Sequence, residues 1–243
     1  MSFVRLQHVH KHYRLGEIDV PALSDITLDL APGRFTVLSG PSGSGKTTLL
    51  NVIGCLDRPD RGELTVMNAA VLHLSEDALA DFRARHIGFI FQNFNLIPVL
   101  SAFENIEYPL RLTGVSAAVR RRRVRHLLEA VGLADRADNV PGQLSGGQRQ
   151  RVAVARALAT APALVMADEP TANLDSQTGA SILALMRQMQ QEMQVSFVFS
   201  SHDPDVLAAA DDAVFICDGR VTRTQQCTPH QAHSDRLGQG RAA

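Results

Sequence analysis

Apolar and polar residues alternate through the opening of the chain with the period of a half-buried strand. Phe3-Val4-Arg5-Leu6-Gln7-His8-Val9 alternates, and Ile26-Thr27-Leu28-Asp29-Leu30 does so again. Pro32-Gly33 then turns the chain into an apolar run at Phe35-Thr36-Val37-Leu38. Arg58–Gly62 reads as a turn, Glu63–Val66 as a further strand, and Ile87–Phe91 as a short buried strand ending at Gln92. From about Phe94 to Leu144 the period becomes helical. Val124, Leu127, Leu128 and Val131 share one face, and Arg120–Arg123 with Arg125 cover the other, which is expected to be solvated. Beyond Gln143 helices alternate with two apolar strands, Ala163–Ala167 and Phe197–Phe199. Strands apolar on both faces and alternating with helices predict an α/β fold, its mostly parallel sheet covered on both sides. The polar stretch from Thr224 onward is expected to be a loose tail.

Composition narrows the class only moderately. A chain of 243 residues that is 45% hydrophobic can bury the core of one large domain with a subdomain. Its formal net charge of −1 gives no global attraction to nucleic acid, so no nucleic-acid partner is expected. No apolar run approaches the ~20 residues of a membrane span, and the N-terminus lacks a signal-peptide apolar region. Cys55, Cys217 and Cys227 have neither metal nor redox spacing, which fits a reducing compartment.

The chemistry begins at Gly40-Pro41-Ser42-Gly43-Ser44-Gly45-Lys46-Thr47-Thr48, which matches G-x-x-x-x-G-K-[ST] between a strand and a helix. Glycines let such a loop curl so that backbone N–H groups face phosphate oxygens, helped by the helix N-terminus. Lys46 is placed to reach the β- and γ-phosphates, and the Thr47 hydroxyl to ligate Mg²⁺. Asp168-Glu169 closes an apolar strand, at the end where parallel sheets carry their ligand crevice. Asp168 suits a Mg²⁺-linked ligand, and Glu169 suits a base for an attacking water. A helix N-cap is the structural alternative for this pair.

Leu144-Ser145-Gly146-Gly147-Gln148 opens a helix running to about Ala159. Ser145 and Gln148 fit a capping box, while bare N–H groups, a serine hydroxyl and the helix dipole also make a second anion site. His202 follows another apolar strand, where it could bond a terminal phosphate. Gln92 could contact Mg²⁺ or the attacking water through its amide.

Taken in order, Gly40–Thr48, Gln92, Leu144–Gln148, Leu164–Glu169, Asn173-Leu174-Asp175 and His202 resemble the ATP-binding-cassette ATPases over roughly residues 2 to 223. The resemblance implies a P-loop NTPase (RecA-like) core, an antiparallel β subdomain and an inserted helical subdomain over about 94–160. A single ATPase domain over 1–225 would precede a disordered tail, 226–243. It further implies ATP and Mg²⁺ as ligands, and two copies packed head to tail. Each ATP would then lie between Gly40–Thr48 of one copy and Ser145, Gly146, Gly147 and Gln148 of the other. Tyr13 is the implied adenine-stacking residue, and Asp175 the residue coupling the two sites. Glu169, His202, Gln92 and Lys46 are the implied catalytic set, with Thr47, Gln92 and Asp168 around the metal. Ser201 stands where relatives often carry threonine.

Gly54–Pro59, Ile87–Pro98 and Glu104-Asn105-Ile106 resemble more narrowly the lipoprotein-release and macrolide-export group, near the cell-division cassettes. This implies a cytoplasmic subunit held at the inner face of the membrane by an integral-membrane permease. Phe94, Leu96, Ile97, Val99, Leu100 and Phe103, within Phe94–Leu110, are the candidate docking patch.

Overall fold

The computed structural model describes residues 3–16 and 18–227. The chain runs β1 (Val4–Leu15), β2 (Ile18–Leu30), β3 (Phe35–Ser39), α1 (Lys46–Ile53), β4 (Arg61–Val66), β5 (Ala69–Ala70), α2 (Glu76–His86) and β6 (Ile87–Ile90). It continues through α3 (Ala102–Leu112), α4 (Ala117–Ala130), α5 (Gly146–Ala157), β7 (Leu164–Asp168) and α6 (Ser176–Met193). The last elements are β8 (Ser196–Ser200), α7 (Pro204–Ala208), β9 (Asp212–Cys217) and β10 (Arg220–Gln226).

Two sheets result. The six-stranded one has the order β10-β9-β3-β8-β7-β6, parallel throughout except for β10. The four-stranded one, β2-β1-β4-β5, is antiparallel. Alternation along the central strands divides the core between the two faces of the large sheet. Val165 and Ala167 join Phe35, Phe197 and Phe199 on the side of α3–α6, whereas Leu164 and Met166 join Leu38, Val198 and α1 on the side of the small sheet. Both faces are therefore dry, as the apolar strands predicted.

Helices α3, α4 and α5 form one excursion between the adjacent parallel strands β6 and β7. The excursion is tied back where α5 crosses β6. A Cβ placed on Gly88 would lie 2.2 Å from the Ala157 carbonyl oxygen, so only glycine permits that crossing. Gly88→Ala must push helix from sheet, and the expected cost is about 1–3 kcal/mol, read as a lower thermal midpoint. A midpoint equal to the parent's would contradict this close contact.

Three features differ from the sequence reading. Arg120 and Arg123 leave the solvated face. Arg120 bonds the buried Glu107 at 3.0 Å, and Arg123 donates to the Leu158 and Ala159 carbonyls at the C-terminal end of α5, where orphan acceptors attract a cation. Thr224–Gln226, expected in a tail, pair with Val214–Asp212 as the end of β10, because an edge strand needs backbone pairing more than apolar side chains. The remainder of the expected tail, 228–243, lies outside the described residues. Helix α2 was not anticipated: it buries only Leu79, too little for a clear period, and is opened by a Ser75 cap.

Candidate functional site

Parallel order brings the C-terminal ends of β3, β8, β7 and β6 side by side. Their next residues are the Gly40–Thr48 loop, Ser201-His202, Glu169 and Gln92 respectively. The sequence-predicted groups therefore share one edge, as neighbouring strands require.

The loop is built to receive an anion. Gly45, at φ 101°, is the left-handed N-cap of α1 and makes no side-chain cap, and its missing Cβ would meet the Ala22 carbonyl at 2.5 Å. The N–H groups of Gly43, Gly45, Lys46, Thr47 and Thr48 have no acceptor among the described residues. Ser44 Oγ is buried and equally unpartnered. Five bare amides and an orphan hydroxyl at a helix N-terminus fit a polyphosphate. Lys46, buried, folds over the loop and donates to the Gly40 and Pro41 carbonyls at 2.8 and 2.9 Å.

At the β7 edge, Asp168 Oδ1 accepts from Thr47 Oγ1 at 3.2 Å and from the Ser200 hydroxyl. Oxygen donors from the loop and the neighbouring strand thus meet at one carboxylate. Among the described residues no group of three or more His, Cys, Asp or Glu is arranged for a metal. One carboxylate and one hydroxyl beside a phosphate cradle instead fit Mg²⁺, which keeps waters and substrate phosphates as its other ligands.

Glu169 takes a left-handed backbone, φ 44°, a conformation that costs a non-glycine residue about 1–3 kcal/mol. Its N–H offsets this by donating to the Ser200 carbonyl at 3.0 Å, with Ser200 Oγ at 3.2 Å. The side chain is largely buried, and Oε1 lies 2.9 Å from His202 Nδ1. A carboxylate only accepts, so Nδ1 carries the proton in this pairing and Nε2 is free to face a ligand. This His–Glu pairing was not read from the sequence. Ser201 Oγ lies 3.5 Å from the other carboxylate oxygen, so serine in that place keeps a hydroxyl beside the base.

The amide of Gln92 makes no hydrogen bond among the described residues, but its carbonyl accepts from Asn173 Nδ2 at 2.9 Å. The same Nδ2 reaches Asn93 Oδ1 at 3.1 Å. Asn173, quoted in the motif without a role, is a missed support of this loop.

Ser145 caps α5 in a complete capping box. Gln148 N–H donates to Ser145 Oγ at 3.3 Å, and Ser145 N–H donates to Gln148 Oε1 at 2.9 Å. Gly147 has a packing reason, since its Cβ would lie 2.6 Å from Thr178 Cγ2 on α6. Gly146 has none as tight, with Leu174 Cδ2 at 3.5 Å. Among the described residues no hydrogen bond joins Ser145–Gln148 to Gly40–Thr48. Asp175 is the N-cap of α6, accepting from Thr178 N–H at 2.9 Å and Thr178 Oγ1 at 2.6 Å.

Tyr13 stands half-exposed on β1, its hydroxyl donating to Asp57 Oδ2 at 2.8 Å. Lys11 Nζ bonds the same carboxylate at 2.8 Å and lies 5.3 Å from the ring centroid. Burial and the bond to Asp57 raise the phenol's pKa, so the ring stays neutral.

A glycine-rich loop at a parallel strand end, a lysine folded over it, and a pair of carboxylates at the end of β7 define a P-loop nucleoside triphosphatase. Residues 23–172 match the ABC transporter family. The chain is 49% identical over 223 residues to the macrolide export ATP-binding/permease protein MacB of Syntrophobacter fumaroxidans, covering 91% of this chain and 31% of that protein. It therefore spans about a third of the length of that relative. It is 46% identical to the ABC transporter ATP-binding protein YvrO of Bacillus subtilis, over 89% of this chain and 94% of that one. Among solved structures, the dimeric post-hydrolysis state of the ATP-binding cassette MJ0796, bound to ADP and Pi, is 42% identical with a TM-score of 0.85. That match covers 93% of this chain and 99% of the other. The chain belongs to the ABC transporter family and is an ABC-type ATPase that binds ATP.

Proposed function

We propose that this chain is the ATP-hydrolysing subunit of an exporter or mechanotransmission complex, working as a head-to-tail pair that drives a separate permease. The pairing is supported by two glycine-opened helix N-termini, α1 and α5, that share no hydrogen bond among the described residues, and by the similarity of the chain to a dimeric cassette. A two-fold axis would set each loop against the partner's α5. A Cβ on Gly146 would meet Leu174 only at ordinary contact, so packing within the chain does not demand glycine there, and its bare N–H suits a phosphate from outside the chain.

In this reading Gly40–Thr48 cradles the phosphates, Tyr13 stacks on adenine, and Lys46 exchanges its two carbonyl bonds for phosphate oxygens. Thr47 and Asp168, with the free amide of Gln92, hold Mg²⁺, which when bound neutralises charge on the phosphate oxygens. Glu169 takes the proton of the attacking water as the water oxygen bonds the γ-phosphorus and the bond from that phosphorus to the β–γ bridging oxygen breaks, giving ADP and phosphate. His202 holds that carboxylate in place. Ser145, Gly147 and Gln148 close over the partner's nucleotide, and Asp175 couples the sites.

For the permease, exposure narrows the expected stretch Phe94–Leu110 toward its C-terminal end. Phe94, Leu96, Ile97, Leu100 and Phe103 are half-buried, Leu96 and Phe103 against the core, and only Val99 of that set is exposed. An apolar groove of about 180 Å³ lies instead among Phe89, Phe91, Tyr108, Pro109, Leu112 and Arg156, with Tyr108 and Leu112 exposed. Among the described residues no helix is long and apolar enough to cross a membrane, so attachment at the inner face would come through that groove.

The test is co-purification in detergent with Mg-ATP. A membrane protein should accompany the parent chain, and Leu112→Glu should weaken it roughly 10- to 100-fold, about 1.4–2.8 kcal/mol, with turnover unchanged. Recovery of soluble partners alone would contradict the permease and favour a soluble ATPase.

A further inference from the structure

The loop after Gln92 holds two consecutive non-glycine residues in the left-handed region, Phe94 at φ 63° and Asn95 at φ 47°. Asparagine tolerates this region, but a phenylalanine adopts it only where its surroundings hold it. Both carbonyls point to one side chain. Arg156, in the last turn of α5, donates from Nη2 to Phe94 O at 2.7 Å and from Nη1 to Asn95 O. A planar fork suits two successive carbonyls in a way an ammonium cannot.

Arg156 has no carboxylate partner among the described residues, and burial alone pushes its guanidinium down to about 10. A half-buried cation with no carboxylate partner is weak evidence for a purely stabilising role. Its position explains it better. It lines the apolar groove beside Tyr108 and Leu112, and it grips the loop that carries Gln92. Arg149, two turns earlier on α5, places its guanidinium 5.2 Å from the Phe94 ring. On the other side Asn173 holds the Gln92 carbonyl. The Gly88–Ala157 contact packs the end of α5 closely against β6, the strand that leads to Gln92.

We propose that Arg156 is a positioning residue that holds the loop carrying Gln92, setting where that amide stands at the nucleotide. The proposal rests on the reading that Gln92 serves the reaction.

The experiment is a double-mutant cycle on the full chain. Arg156→Met removes both bonds but keeps an apolar stem, and Arg156→Lys keeps one. Each is combined with Gln92→Ala, with kcat, ATP Kd and thermal midpoint measured for all. Arg156→Met should lower kcat about 10-fold in the parent and less than about two-fold beside Gln92→Ala, with Arg156→Lys between. ATP Kd should stay within about two-fold, since no phosphate contact is touched. If Arg156→Met fails to fold, Arg156→Lys carries the cycle. An equal loss in both backgrounds, or a loss that tracks the midpoint alone, overturns the linkage. If Gln92→Ala by itself leaves kcat unchanged, the role of Gln92 falls and the proposal falls with it.

Discussion

Glu169→Gln is expected to lower ATP turnover by about 10²–10⁴-fold while leaving ATP bound. The substitution keeps the shape of the side chain and its neighbours, so the left-handed backbone and its bonds to Ser200 survive. What disappears is the group that accepts water's proton. An amide oxygen can still accept from His202 Nδ1, 2.9 Å from the present carboxylate, so the histidine stays in place. Binding does not depend on Glu169, because the amides and Lys46 meet the phosphates from another strand end. Phosphate release and equilibrium binding, measured on one preparation, check both halves. Unchanged turnover would remove Glu169 from the role of base.

Lys46→Met is expected to act on binding first. Hydrogen bonds to charged groups are worth about 1.5–3 kcal/mol, which sets a loss of roughly 10- to 150-fold in ATP affinity. Lys46 also bonds Gly40 O and Pro41 O, so removing it leaves two loop carbonyls without their donor. The loop should loosen as well, adding to the loss. Titration with a fluorescent ATP analogue reads the affinity. Parent-like affinity would mean the backbone amides alone hold the phosphates.

The parts legible in the sequence were those fixed by local chemistry. A strand, a glycine-rich loop and Lys46-Thr47 need nothing distant to be recognised, and apolar strands ending in Asp168-Glu169 and His202 announce their own edge of the sheet. The spacing could not show which long-range partner each side chain takes. Glu169 meets His202 only because β7 and β8 are neighbours. Arg120 and Arg123 look like surface charge until α3 and the end of α5 are brought beside α4. Burial within the expected docking stretch was hidden for the same reason. Leu96 and Phe103 pack against the core, while Tyr108 and Leu112 are exposed apolar positions that line a groove with Phe89 of β6. Helix α2 and strand β10 lacked signal because they bury little.

The central claim is that ATP joins two copies by pairing each phosphate loop with the partner's α5. Its most direct test is the mass in solution of Glu169→Gln, by light scattering, with and without Mg-ATP. The account predicts a single chain of 26.4 kDa without nucleotide and twice that mass with it, holding one ATP per chain. A chain that binds ATP at saturation yet keeps the single-chain mass would contradict it.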